Sequence, residues 1–333
     1  MKADPTKVHI AKTFTHTAPL FSCRFDPQGK FVFAGSEDNR ISRWEIESGK
    51  KLEFIGHESW VRSFAFNSSG DMLVAGDYAG RLLWWPATTT DEMPKPIRTV
   101  EAHRGFVRAL SVSADGKWLA SCGVDRIVRI WQMESGELVR EIPGHEADVW
   151  NVIFHPAANE LVSGDLLSNF VHWNAETGQP IKKFQLPALT KYDTTFMADC
   201  GGPHSLAFDA SGKTLAVGGI TNVTNAFAGI GKPAVVLVDL EAGKEKIMHL
   251  PKADVKGAAW GTAIHPDGFT IGASGGSGGG HLYFWKPDQK EEFHTLNLTN
   301  TARDMALHPD NLHIATAHFD KQVRLTKMAA KGA

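Results

Sequence analysis

The hydrophobic pattern of the chain is short and heavily punctuated. Apolar runs a few residues long alternate with clusters of Gly, Pro, Asp, Asn and Ser, the pattern of strands joined by tight turns. The segment from 106 to 145 shows it clearly. FVRALSV (106–112), KWLASCG (117–123), IVRIWQM (127–133) and LVREIPGH (138–145) are four β-rich runs separated by SADG, VDR and ESGE. Four such strands predict a twisted antiparallel meander. No stretch sustains a 3.6-residue apolar period, so helices should be nearly absent.

The first turn of this unit recurs along the chain. It begins at Asp26 (DPQG), Asn67 (NSSG), Ser113 (SADG), His155 (HPAA), Asp209 (DASG), His265 (HPDG) and His308 (HPDN), at spacings of 41, 46, 42, 54, 56 and 43 residues. A unit of this length cannot bury its own apolar faces and must stack on copies of itself.

The unit resembles the WD repeat. That family's repeat opens on Gly-His, carries Ser or Thr and Asp in the middle, and closes on Trp-Asp. Gly56-His57 and Gly144-His145 match the opening, and Trp44, Trp85, Trp131, Trp173 and Trp285 match the closing Trp. The third repeat carries His103, Ser121, Asp125 and Trp131, the set that forms a hydrogen-bonded blade network in the family. The first repeat keeps His16, Asp38 and Trp44, and the seventh keeps Thr316 and Asp320 with Thr326 in place of Trp. The 22-residue offset from His to Asp in repeats one and three lands on Ala79 and Leu167 in repeats two and four, so the third repeat alone is expected to hold the full network. The resemblance implies an all-β fold, a seven-bladed β-propeller of four-stranded antiparallel blades. We expect a single domain over 1–333. Residues 7–14 would add the outer strand of blade seven and close the ring, leaving 329–333 as a short tail.

Composition narrows the function. The net charge is −2, and charged residues make up 22% of the chain, which supplies no bulk attraction to nucleic acid or an anionic membrane. Cys23, Cys122 and Cys200 are scattered and form no CxxC pair, so neither disulfides nor a cysteine metal site is expected. With no signal-peptide or membrane-spanning run in sight, the expectation is a cytoplasmic protein.

Most of the fifteen His are explained by position. His16, His57, His103 and His145 fill the network slot, and His155, His265 and His308 begin the first turn. No metal, cofactor or catalytic set is expected. GGSGGG (275–280) lacks the Lys-Ser/Thr of a phosphate loop and reads as a flexible connection between strands.

The repeat also serves as a ruler. Four residues before the residue preceding each turn stand Phe21, Arg62, Arg108, Trp150, His204, Trp260 and Arg303. In a propeller this position opens the innermost strand at the mouth of the central channel. Trp60 and Phe106 add to the same surface. Arg and aromatic residues are enriched at interface hot spots; alternatively, the aromatics pack blades and the Arg are simply solvated. Three irregular stretches, 187–203, 219–232 and 274–280, should form long loops beside this mouth, with Tyr192, Phe196, Met197 and Phe227 as exposed anchors. The expected function is a non-enzymatic scaffold whose partner is a protein or an acidic peptide. Two alternatives stand beside it: a propeller enzyme or small-molecule or metal binder at the mouth, and a phosphate or nucleic-acid contact through the Arg ring.

Overall fold

A computed structural model describes residues 2–226 and 228–332 of the chain. Seven four-stranded antiparallel sheets follow one another in sequence order. Their innermost strands are Leu20–Phe25, Val61–Phe66, Val107–Val112, Val149–Phe154, Ser205–Phe208, Ala258–Ile264 and Ala302–Leu307. Helical structure among the described residues is confined to two 3-10 turns, Pro5–Lys7 and Pro187–Leu189.

The ring closes as the sequence predicts. Val8–Thr15 pairs with Gln322–Met328 from Val8↔Met328 to Thr15↔Gln322, with a bulge near Ile10. Phe14 in this strand is buried and stacks on Trp44 of blade one, with ring centroids 5.9 Å apart. The N-terminal strand therefore fastens blade seven to blade one through side chains as well as backbone.

The core lies between neighbouring blades. One cluster joins Cys122, Ile130 and Ile142 of blade three to Val149, Leu161 and Trp173 of blade four. Another joins Phe14, Val323 and Leu325 to Leu20, Val32 and Trp44. Side chains pointing to opposite faces of each sheet meet both neighbours, so burying one repeat requires the next.

The polar networks correct one expectation. In blade three, His103 bonds Asp125 (2.9 Å) and Ser121 (2.7 Å), and Trp131 Nε1 donates to Ser121 Oγ (2.8 Å). Blade four holds the same complete network: His145 bonds Asp165 (3.0 Å) and Ser163 (2.7 Å), and Trp173 Nε1 donates to Ser163 Oγ (2.8 Å). The carboxylate comes from two residues earlier than the ruler placed it. Asp77 takes the equivalent place in blade two, bonding His57 at 3.0 Å. From the end of the second strand, each Asp reaches its His while its other oxygen accepts two turn N–H groups, from Ala79 and Arg81 or from Leu167 and Asn169. Blade one keeps His16 on Asp38 at 3.0 Å. Blade seven rearranges the set: Thr316 bonds His318 (2.7 Å), and Asp320 pairs with Arg324.

The His residues at first turns also act structurally. His265 and His308 accept the Asp267 and Asp310 N–H groups on Nδ1, and their Nε2 atoms bond Asn311 O and Gly29 O at 2.8 Å. Each ring thereby ties its own turn to the turn of the next blade. A Cβ on Gly29 would stand 2.3 Å from His308 Nε2, so the close approach requires glycine there, as does its φ of +68°.

Candidate functional site: the channel mouth

The mouth residues are aimed by a repeated backbone irregularity. In blade two Val61 pairs with Asp77 and Ser63 with Gly76, leaving Arg62 as an extra residue. The same register shift singles out Phe21, Arg108, Trp150, Trp260 and Arg303. A β-bulge leaves one residue unpaired, bends the strand and re-aims its side chain. In blade five pairing starts at Ser205, and His204 sits just ahead with its N–H on Gly218 O at 2.9 Å. All seven side chains that the sequence ruler selected line one cavity of about 270 Å³.

Their surroundings differ. Arg303 pairs with Glu37 at 2.7 Å and lies between the Phe21 and Phe319 rings, 4.7 and 4.5 Å from their centroids. Arg62 donates to Phe21 O at 3.1 Å. The Arg108 guanidinium stacks 4.1 Å from the Trp150 ring centroid and reaches the Tyr78 hydroxyl at 3.4 Å. Burial, together with the charge of Arg62, lowers the Arg108 pKa from its ordinary value. His204 is wedged between Trp150 and Trp260, its ring centroid 5.2 and 4.2 Å from theirs. Burial, reinforced by the charges of Arg62 and Arg108, pushes its pKa down to about 3, so its ring is neutral at physiological pH. Asp304, a carboxylate in the lining, is occupied by Arg24 (2.9 Å) and by the Cys23 N–H (3.0 Å).

Trp60 and Phe106 stand at the rim, each 41% exposed. Tyr78, which the sequence ruler passed over, joins them. Its ring stacks on Phe106 at 4.2 Å and meets Trp60 and Phe21 at 5.9 and 6.1 Å. Tyr78, Glu37 and Phe319 all follow the second strand of their blades. Their N–H groups donate to carbonyls just before the inner strand: Trp60 O, Pro19 O and Thr301 O respectively. Counting on the residue after each second strand would have found this second ring.

The irregular stretches are more ordered than expected. Within 187–203 the strands Thr190–Asp193 and Ala198–Gly201 form a separate hairpin. Tyr192, Phe196 and Met197 are exposed near its tip, Met197 at 79%; Phe227 lies outside the described residues. The stretch 219–232 is not a long loop. It extends the blade-five strands Thr214–Asn225 and Ile230–Asp239, as its β-branched Ile220, Thr221, Val223 and Thr224 favour. Ile220 and Val223 are buried and pack with Ala258, Cys200 and Trp260. The stretch 275–280 joins two strands, and four of its five glycines stand in close packing, with Gly279 alone in open space. A Cβ on Gly275 or Gly280 would meet Ala302 O at 2.2 Å or Asn300 O at 2.1 Å.

Metal-ligand geometry appears elsewhere. His308 and Asp310, in the first turn of blade seven, and His313, which opens the strand after it, bring ligand-type atoms within 4.8 Å of one another. Nδ1 of His308 already accepts the Asp310 N–H, and His313 bonds Asp310 at 2.7 Å.

The family model described as "WD domain, G-beta repeat" matches residues 9–45, 49–85, 94–132 and 136–174. The matched stretches run from the outer strand of blade seven, Val8–Thr15, through blades one to three to the third strand of blade four, and blades five to seven repeat the same four-stranded order. The chain belongs to the WD-repeat β-propellers. Among curated relatives of this propeller, transcription initiation factor TFIID subunit 5 of Caenorhabditis elegans is 26% identical over 56% of this chain and 28% of its own. The target of rapamycin complex subunit wat1 of Schizosaccharomyces pombe is 30% identical over 46% of this chain and 48% of its own. The chromatin assembly factor 1 subunit FAS2 homolog of Oryza sativa subsp. japonica is 29% identical over 44% of this chain and 31% of its own. The matches thus span less than half the length of each of these relatives. No helix of this propeller is long and apolar enough, among the described residues, to cross a membrane.

Proposed function

We propose that this propeller is a non-enzymatic, single-domain scaffold that holds a protein segment on its channel-mouth face. The observation that carries the reading is the aromatic rim of Phe21, Trp60, Tyr78 and Phe106. These rings lie beside three Arg on a rigid seven-blade frame. Large planar side chains bring contact area at low entropic cost, and Arg adds fixed donor geometry. The hairpin whose Cys200 packs on the same Ile220–Val223–Ala258 cluster as Trp260 exposes Tyr192, Phe196 and Met197 near its tip, a further apolar surface for such a segment. The positive mouth favours an acidic segment. Three of the relatives bear names of subunits of larger assemblies, which fits a protein-holding role. The chemistry of the lining also fits it, since His204 is neutral and Asp304 is engaged by Arg24. Three free cysteines, two of them buried, suit a reducing, cytoplasmic setting.

The test is affinity capture with mass spectrometry, comparing wild type with a Trp60→Ala, Phe106→Ala, Arg303→Ala variant. The variant should keep its melting temperature and lose a defined set of captured proteins. An identical set from a folded variant would overturn the assignment.

A further inference from the structure

The cavity behind the rim holds a charge imbalance that the interaction surface does not explain. Arg303 and Arg24 each have a carboxylate, Glu37 and Asp304. Among the described residues, no ion pair involves Arg62 or Arg108. Both line the cavity, and Arg108 is pressed against the Trp150 ring. Five buried polar atoms of lining residues also lack a hydrogen-bond partner: Arg108 Nε, Trp150 Nε1, His204 Nδ1, Ser63 Oγ and Ser205 Oγ. The first two are obligatory N–H donors. Burying donors and a cation without an acceptor is costly, so a site built this way is completed by an acceptor that arrives from outside.

The unused donors specify the guest. An arginine with its Nε–H free presents the side-on edge that matches a planar carboxylate bidentately. The Trp150 indole N–H, on the residue stacked against that guanidinium, supplies a further donor, and Arg62 a second positive charge. The cavity of about 270 Å³ is many times the ~30 Å³ share of one water, so it has room for a side-chain carboxylate and companion water. Tyr78 links the two regions, stacking on Phe106 at the rim and accepting from Arg108 within.

We propose that the channel cavity is a carboxylate-binding site, in which Arg62, Arg108 and Trp150 Nε1 hold the Asp or Glu side chain of a protein segment seated on the rim. Occupation by a partner's side chain rests on the proposed scaffold function, whereas affinity for a carboxylate does not.

The experiment follows the indole N–H resonance of Trp150, assigned from Trp150→Phe, while sodium acetate replaces sodium chloride at constant ionic strength. The expected result is a saturable shift of that resonance with acetate and none with chloride alone. Arg62→Gln and Arg108→Gln should each weaken acetate binding about tenfold or more, as loss of one charge-assisted contact does. The indole resonances of Trp44, Trp131 and Trp173 should stay in place in both variants, which shows that the blades remain folded. Absence of a saturable shift, an equal shift in Arg108→Gln, or saturation by inorganic phosphate at a lower concentration than acetate would each overturn the carboxylate assignment. Acetate binding that persists while the Trp60, Phe106 and Arg303 substitutions leave capture unchanged would support the cavity site and remove the scaffold reading instead.

Discussion

Replacing His204 by Phe should make the protein more resistant to mild acid. His204 has a folded-state pKa of about 3 against an ordinary 6.5, because burial disfavours its charged form and Arg62 and Arg108 repel it. The unfolded chain therefore binds a proton near pH 6.5 that the folded protein refuses until near pH 3. The stability associated with the neutral ring is full above 6.5 and declines as the pH falls below it, levelling off only near the folded value. Between about pH 7.5 and about pH 5, one such group costs about 2 kcal/mol, from 1.36 kcal/mol for each pH step below the unfolded pKa. This figure is insensitive to the folded pKa, which lies well below pH 5. Burial also lowers His57, His103, His172, His249, His281 and His318, the last to about 4, so the wild type loses more than this single increment. The depressed carboxylates, such as Asp310 at about 2, add their own losses at lower pH. Phe preserves the aromatic packing between Trp150 and Trp260 and cannot be protonated. Reversible urea unfolding at the two pH values should show the variant losing about 2 kcal/mol less than the wild type. Equal losses would mean that His204 is not a group whose protonation opposes folding, and the account of the buried, electropositive channel would fail with it.

Two further substitutions test the blade networks against each other. In blade two Ala75 stands where blade four has Ser163, and His57 Nε2 and Trp85 Nε1 are buried without partners. Ala75→Ser should supply both and raise stability by about 1 kcal/mol, while Ser163→Ala should strand His145 and Trp173 and lower it by about 2 kcal/mol; denaturant midpoints that move together would contradict the network. Deleting residues 1–15 should open the blade-seven sheet edge and remove the buried Phe14 and Val8. That costs at least about 3 kcal/mol, and an unchanged melting temperature would refute the closure.

What the sequence disclosed and what it withheld divide along a physical line. A turn of fixed form recurs because each blade needs the same hairpin, so counting back from it reached Phe21, Arg62, Arg108, Trp150, His204, Trp260 and Arg303, all of which line one cavity. The count could not show why they point inward, because a bulge is a property of two strands in register. The extra residue at Arg62 exists only relative to Val61↔Asp77 and Ser63↔Gly76. The same limit hid Asp77 and Asp165. A fixed 22-residue offset assumes that one backbone position feeds the histidine, yet a carboxylate at the strand end reaches the same nitrogen while capping the turn. Tyr78 was missed because its partners, Phe21, Trp60 and Phe106, come from three blades. Its place just after the second strand could be counted, but contacts between repeats leave no spacing inside any one of them that marks this place as one to count. Repetition thus exposes the positions that each blade uses alike. The chemistry of the mouth arises where blades differ: Glu37 satisfies Arg303, and no corresponding acid among the described residues satisfies Arg62 or Arg108. That inequality, rather than the ring of like positions, is what the proposed carboxylate site rests on.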